Sequence, residues 1–327
     1  MEEYFVLFKK TFEVVKSLNQ SFKIGGPAIC GVDDVRWLRE FLEFCVREGI
    51  KPDFITRHHY MFEKPDMVGH YTYAPFRNPW ETLEELKVSR ELIDNYAETR
   101  GLPMHITEFN TSYCPDSPVH DTVRNASYIA WQLAHMGQYS DSYSYWTFGD
   151  IFEERGVPFT PFHGGFGLVA DGLIPKPTFW TFAFFKTLKG ECLKCSDDLV
   201  VVKTKDGIYR GVAYNMCFDK KEVLDINLTF EDEDIKDWVL ITKAVDEEHA
   251  NPLKIWHELG EPSHLSKDEL GLLRSVATPY IQTKVISEED GKLNVKLNIE
   301  EYGLIWFELK PRNMRSDRGY DYIRTRG

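Results

Sequence analysis

Met104-His105-Ile106-Thr107-Glu108-Phe109-Asn110-Thr111-Ser112-Tyr113 begins as a short apolar strand and runs into a polar, aromatic loop. Glu108 stands where the strand gives out. In a parallel α/β protein catalytic groups collect there, because loops at strand C-termini vary over a fixed scaffold. The segments on either side keep the same alternation. Apolar residues at Phe5, Leu7, Phe8, Phe12, Val15 and Leu18 recur at helical spacing, so residues 4–18 read as an amphipathic helix. Residues 22–29 read as a strand ending in Gly25-Gly26-Pro27. Residues 35–48 read as a helix, with Asp33 and Asp34 available as caps and Gly49 as its stop. Residues 53–57 read as a strand that runs into His58-His59-Tyr60. A helix at 80–100, the strand at 103–109, a helix at 121–136, a strand at 141–148 and a helix at 178–188 complete the run.

One helix followed by four strand–helix repeats implies a parallel sheet with helices outside it. The long loops, 61–79 and 149–177, follow strands, and the short ones follow helices. That asymmetry is the habit of a (β/α)8 TIM barrel, whose active face is built from βα loops. Only four strands are present, and the sequence opens on a helix. Residues 1–189 are therefore expected to form the second half of such a barrel. After residue 190 the pattern changes to short runs rich in β-branched and aromatic residues at 199–203, 209–215, 224–230, 238–245, 293–298 and 303–309. Turn-forming clusters such as Lys205-Asp206-Gly207 and Glu289-Asp290-Gly291 separate them. Residues 190–312 thus read as an antiparallel β-sandwich. It is interrupted by a helix at 266–275, where Ser266 and Glu269 form a capping-box pattern. Residues 313–327 are polar and basic, a tail or an oligomer arm. The fold class is α/β plus all-β.

At 327 residues the chain exceeds one ordinary core. Its net charge of −13 argues against nucleic acid and anionic membrane surfaces as partners. No apolar run reaches membrane-spanning length, and the acidic start Met1-Glu2-Glu3 does not resemble a signal peptide, so a cytoplasmic location is expected. The six cysteines are scattered, as in reduced proteins. Cys192 and Cys195 have CxxC spacing without a second pair or a histidine motif. Neither a metal nor a cofactor is expected.

By itself, a glutamate at a strand end serves equally as a surface carboxylate or a rim ion pair. Its surroundings add to it. Asn110, Ser112 and Tyr113 can hydrogen-bond a carboxylate or a sugar hydroxyl. The next strand ends in Tyr145-Trp146-Thr147-Phe148, an aromatic floor at the same rim. Here the sequence resembles glycoside hydrolase family 39, in particular its bacterial β-xylosidases. The resemblance is carried by 105–113 and Pro118-Val119-His120-Asp121-Thr122. It extends through Gly25-Gly26-Pro27-Ala28, Arg57-His58-His59-Tyr60, Phe152-Glu153-Glu154-Arg155, Phe162-His163-Gly164-Gly165-Phe166-Gly167-Leu168, Ile174-Pro175-Lys176-Pro177-Thr178 and the 246–252 segment.

The resemblance implies a retaining exo-glycosidase that releases xylose from the non-reducing ends of β-1,4-xylo-oligosaccharides. It implies Glu108 as nucleophile. It also implies that Tyr60 bonds the nucleophile, that His58 and Tyr113 line the sugar subsite, that Trp146 stacks under the ring and that Glu153 and Glu154 grip hydroxyls. His59 is expected to point away. The family's acid/base lies in an Asn-Glu-Pro motif on the fourth barrel strand, and this sequence contains no Asn-Glu dipeptide. That catalytic residue is therefore expected to be absent. A retaining mechanism needs two carboxyls about 5–5.5 Å apart. Losing acid/base help costs about 10²–10⁴-fold, so the chain alone is expected to be inactive. The alternatives are a non-catalytic remnant or a subunit that needs a separate first half, and another specificity in the family such as α-L-iduronidase. A homo-oligomer, by resemblance a tetramer, is expected.

Overall fold

The computed structural model describes residues 1–151, 154–231, 237–287, 289–312, 319 and 321–326. Strands Gly25–Ile29, Phe54–Tyr60, Met104–Asn110 and Ser142–Tyr145 form a four-stranded parallel sheet in that spatial order. Helices Asp34–Arg47, Pro79–Asn95 and Val123–His135 make the crossovers. The buried side of the sheet packs Ile55, Met104, Ile106 and Phe109 against Leu42, Leu86, Ile129 and Trp131.

The strand carrying Glu108 is not regular. Side chains two apart share a face, so Glu108 would follow Met104 and Ile106 into the core. The pairing slips at Thr107: Ile106 faces Arg57, but Glu108 faces His58. This bulge turns Glu108 to the open face and gives Phe109, fully buried, the core position.

The second half of the chain is antiparallel. A six-stranded sheet runs in the order Tyr280–Ser287, Asp237–Val245, Leu304–Pro311, Tyr209–Tyr214, Leu199–Lys203, Glu191–Ser196. Leu224–Glu231 and Lys292–Ile299 form a separate pair. In Lys292–Ile299, buried and exposed residues alternate strictly, so Leu293, Val295, Leu297 and Ile299 enter one core with Val201, Trp238, Phe307 and Leu309 of the larger sheet.

Two strands escape a reading by hydrophobic pattern: Glu191–Ser196, which contains Cys192 and Cys195, and Tyr280–Ser287. Both are outer edges of the sheet and are largely exposed, so their residues need no apolar alternation. Helix Pro252–Glu258 is also additional, capped by Asn251 and anchored by Trp256 against Phe162. Helix Lys267–Val276 carries the expected capping box.

Elsewhere the bounds move. The helix expected over 80–100 ends at Asn95, where Tyr96 is extended and the Asp94 carboxylate accepts from Arg90 and from Gly101 N–H. Asp34 does not cap its helix; its carboxylate goes to the buried Arg57, 2.9 Å away. Loop 61–79 contains a hairpin, Asp66–Val68 with Tyr71–Tyr73. The tail expected at 313–327 falls mostly outside the described residues, and so does most of the acidic run 231–234. Among the described residues no helix is long and apolar enough to cross a membrane.

Candidate active site

The bulge at Thr107 brings three side chains together. The Tyr60 hydroxyl donates to Glu108 Oε2 at 2.9 Å, and His58 Nδ1 lies 3.2 Å from the same oxygen. Among the described residues, Oε1 has no partner. His58 and Tyr60 are two apart on their strand and therefore share the open face. Burial pushes the Tyr60 hydroxyl far up, and the adjacent Glu108 charge pushes it further, so Tyr60 stays a neutral donor. Glu108 keeps a side-chain exposure of 26%, enough for a ligand to reach it.

Tyr113 meets the Tyr60 ring edge-on at 6.1 Å between centroids and is itself 44% exposed. A cleft of about 630 Å³ opens beside this group, bounded by Cys30, His58, Tyr60, Glu63 and Tyr113, within the usual size range of ligand sites. The Cys30 thiol in its wall is pushed up to about 11, chiefly by burial, which keeps it protonated and unreactive at neutral pH.

His59 is the reverse of its neighbour. It is 2% exposed on the helix side, both ring nitrogens lack a hydrogen-bond partner, and burial pushes it down to about 3.

The strand end is tied to the next one. Asn110 Nδ2 donates to Trp146 O at 2.8 Å, and Trp146 N donates to Phe109 O at 3.0 Å. Trp146, expected as a stacking platform, is therefore held at the rim, partly buried. Glu154 lines a smaller neighbouring cavity of about 200 Å³ with Met67, His70, Asp116, Arg155 and Phe159, and its charge is felt at Tyr60. Glu153 lies outside the described residues.

A buried ionic knot beside the site went unread in the sequence. Lys176, fully buried between two prolines, bonds Asp121 at 2.6 Å, Asp150, and Gly165 O at 2.9 Å. Burial alone would lower its pKa, but the two aspartates outweigh burial and hold the ammonium charged. Asp121 also accepts from Gly164 N–H at 2.7 Å, and Asp150 from Gly167 N–H at 2.6 Å. The His120 ring nitrogens lie 2.9 Å from Gly164 O and 3.2 Å from Ser112 O.

The knot explains the run Gly164-Gly165-Phe166-Gly167. A Cβ at Gly164, where φ is +75°, would come within 2.4 Å of the Ser117 backbone. One at Gly167 would come within 2.6 Å of Asp150. The only hint in the sequence was that Asp121, the glycines and Lys176 all fall in motifs of the resemblance. No periodicity marks a buried lysine. Among the described residues no cluster of three or more histidine, cysteine or acidic side chains could hold a metal.

Comparison with known proteins reaches the same region of protein space. The chain is 39% identical over 318 residues to a β-xylosidase of Geobacillus stearothermophilus and 29% identical over 280 residues to one of Caldicellulosiruptor saccharolyticus. These alignments take in 94% and 83% of this chain, but it spans only 62% and 56% of those proteins. The structure is similar to that of a monomeric β-xylosidase from Caulobacter crescentus, with a TM-score of 0.82 and 26% identity, covering 96% of this chain and 66% of that one. The profile of glycosyl hydrolases family 39 matches residues 1–294, and the chain belongs to that family.

Proposed function

We propose that this chain carries the nucleophile-bearing part of a retaining β-xylosidase, with Glu108 as nucleophile. The observation that carries the reading is the arrangement of bonds on Glu108. Tyr60 donates to Oε2 and His58 Nδ1 lies 3.2 Å from it, while Oε1 has no partner among the described residues. A carboxylate held on one oxygen by a hydroxyl is oriented with the other oxygen available, as an attacking group must be. Oε1 attacks the anomeric carbon of a terminal xylose, the glycosidic oxygen leaves, and a glycosyl ester forms on Glu108. Water then cleaves the ester. Protonation of the leaving oxygen falls to a carboxylic acid that this sequence does not supply in its family motif. Trp146 would form the floor under the ring, and Tyr113, Glu153 and Glu154 would contact its hydroxyls.

In the same reading the parallel sheet is half of a (β/α)8 barrel over residues 1–189, and the antiparallel sheets are a sandwich over 190–312, with 313–327 as a tail. A cytoplasmic, homo-oligomeric protein is consistent with it. The tetramer follows from family resemblance alone, and size-exclusion chromatography with light scattering tests it.

An activated substrate separates the roles. A 2,4-dinitrophenyl 2-deoxy-2-fluoro-β-xyloside has a leaving group that needs no acid, and its fluorine slows hydrolysis of the ester. The chain is expected to gain one fluoroxylosyl unit by mass, on the peptide containing Glu108, and the Glu108→Gln variant none. An adduct on another residue refutes the assignment. Fast turnover of an ordinary alkyl β-xyloside by the chain alone refutes the missing acid. A second reading, a chain that binds sugar without chemistry, is favoured by the absent Asn-Glu dipeptide. It predicts xylose binding with no adduct.

A further inference from the structure

We propose that the seam between the parallel and antiparallel layers is a second ligand site, separate from the Glu108 cleft, that takes a ring-bearing monocarboxylate on Arg124. A cavity of about 360 Å³ lies there, lined by Phe62, Tyr73, Phe76, Arg124, Glu247 and Tyr302 among others. It shares only Phe62 with the lining of the cleft bounded by His58, Tyr60 and Tyr113. Its volume sits at the lower end of ligand pockets, room for one ring and its substituents.

The charge arrangement points to an anion. The Arg124 guanidinium carbon lies 4.4 Å over the Phe76 ring, 5.3 Å over Tyr302 and 5.7 Å over Tyr128. Its Nε is buried with no hydrogen-bond acceptor, and among the described residues no carboxylate pairs with it. Lys221 also lies over the Tyr302 ring, at 6.0 Å, and adds positive charge to the same wall. Glu247 lines the cavity but makes no ion pair with Arg124. Burial pushes its carboxyl up, and Glu248 and Asp246 push it further.

The guanidinium thus stands without a carboxylate partner among the described residues at the wall of an aromatic-lined cavity, the setting in which a carboxylate gains charge-assisted bonds while a ring packs on Tyr302 and Phe76. Tyr302 holds its wall position at φ +58°, in the left-handed region a tyrosine seldom adopts. Glu247, across the cavity, would accept a hydroxyl from the ring and repel a second negative charge, which limits the ligand to one carboxylate.

The test is binding by the full chain, which needs no turnover. D-glucuronate and 4-hydroxybenzoate are titrated, each beside its neutral counterpart, D-glucose and 4-hydroxybenzyl alcohol, by saturation-transfer NMR. At least one acid is expected to bind with a Kd of about 1 mM or tighter and about tenfold tighter than its neutral partner. Which acid binds identifies whether the ring is a sugar or an arene. Arg124→Met should weaken binding at least tenfold, Glu247→Gln should tighten it, and Glu108→Gln should leave it unchanged. Glu247→Gln keeps the test alive if Arg124→Met does not fold. The proposal is overturned if neither acid binds at about 10 mM, if the neutral partners bind equally, or if binding survives loss of Arg124.

Discussion

Two groups of polar side chains, the Lys176 knot and the Glu108 group, are built on opposite plans. In the knot, two aspartates meet a lysine, nothing is exposed, and the remaining oxygen bonds come from glycine N–H groups. At Glu108 the neighbours are a tyrosine and a histidine, the side chain is a quarter exposed, and one oxygen has no partner among the described residues. The difference lies in the partners. A cation spends a carboxylate on structure, since a buried charge is tolerable only when matched. A neutral hydroxyl such as that of Tyr60 orients a carboxylate without supplying a counter-charge.

That contrast can be broken most severely at the knot. Lys176→Met strands two buried aspartates and is expected to destabilise by about 3–5 kcal/mol, lowering the melting temperature by on the order of 10 °C. Adding Asp121→Asn and Asp150→Asn should recover part of the loss. Calorimetry of the single and triple variants checks this, and a melting temperature unchanged by Lys176→Met contradicts the account.

Acid sharpens the comparison next, because enclosed groups resist protonation and open ones do not. Burial holds His59 down to about 3 and His120 down to about 4, against an ordinary value of 6.5. The unfolded chain binds protons below pH 6.5 that the folded chain refuses. These two residues therefore contribute stability that is fully present above pH 6.5 and is lost as pH falls toward 4 and then 3. Urea midpoints measured from pH 7 to 4 should decline, and His59→Met should flatten the slope.

The smallest effect is expected at the open group. Tyr60→Phe removes one bond to Glu108 and should slow fluoroxylosyl labelling about tenfold while leaving the melting temperature within about 1 °C. A loss of stability comparable to that of Lys176→Met would show that Tyr60 belongs to the structural plan instead.

The sequence exposed the parallel half well, because its helices carry 3.6-residue spacing and short strands fall between them. Trp146, Glu108 and the His58/Tyr60 pair were legible because they close those strands. The edge strands at 191–196 and 280–287 were not, since an edge buries little and its composition is free. Lys176 was hidden for a different reason. Its burial depends on two aspartates brought in from 26 and 55 positions away (176 minus 150, and 176 minus 121), a relation no local pattern encodes. The alternation of Met104 and Ile106 pointed to a regular strand and missed the slip at Thr107.

That slip has a bearing on how this chain can change over generations. The side on which Glu108 emerges is set by a count of residues, and not by what Thr107 is. Many replacements of Thr107 should be tolerated, because its side chain is exposed and only its backbone makes the extra step. Removing it should also keep Glu108 on the open face and Phe109 in the core, because Glu108 then follows Ile106 directly and plain alternation gives each its present side. At this point in the gene, three lost bases should matter little more than a changed one, because the loss only straightens the strand.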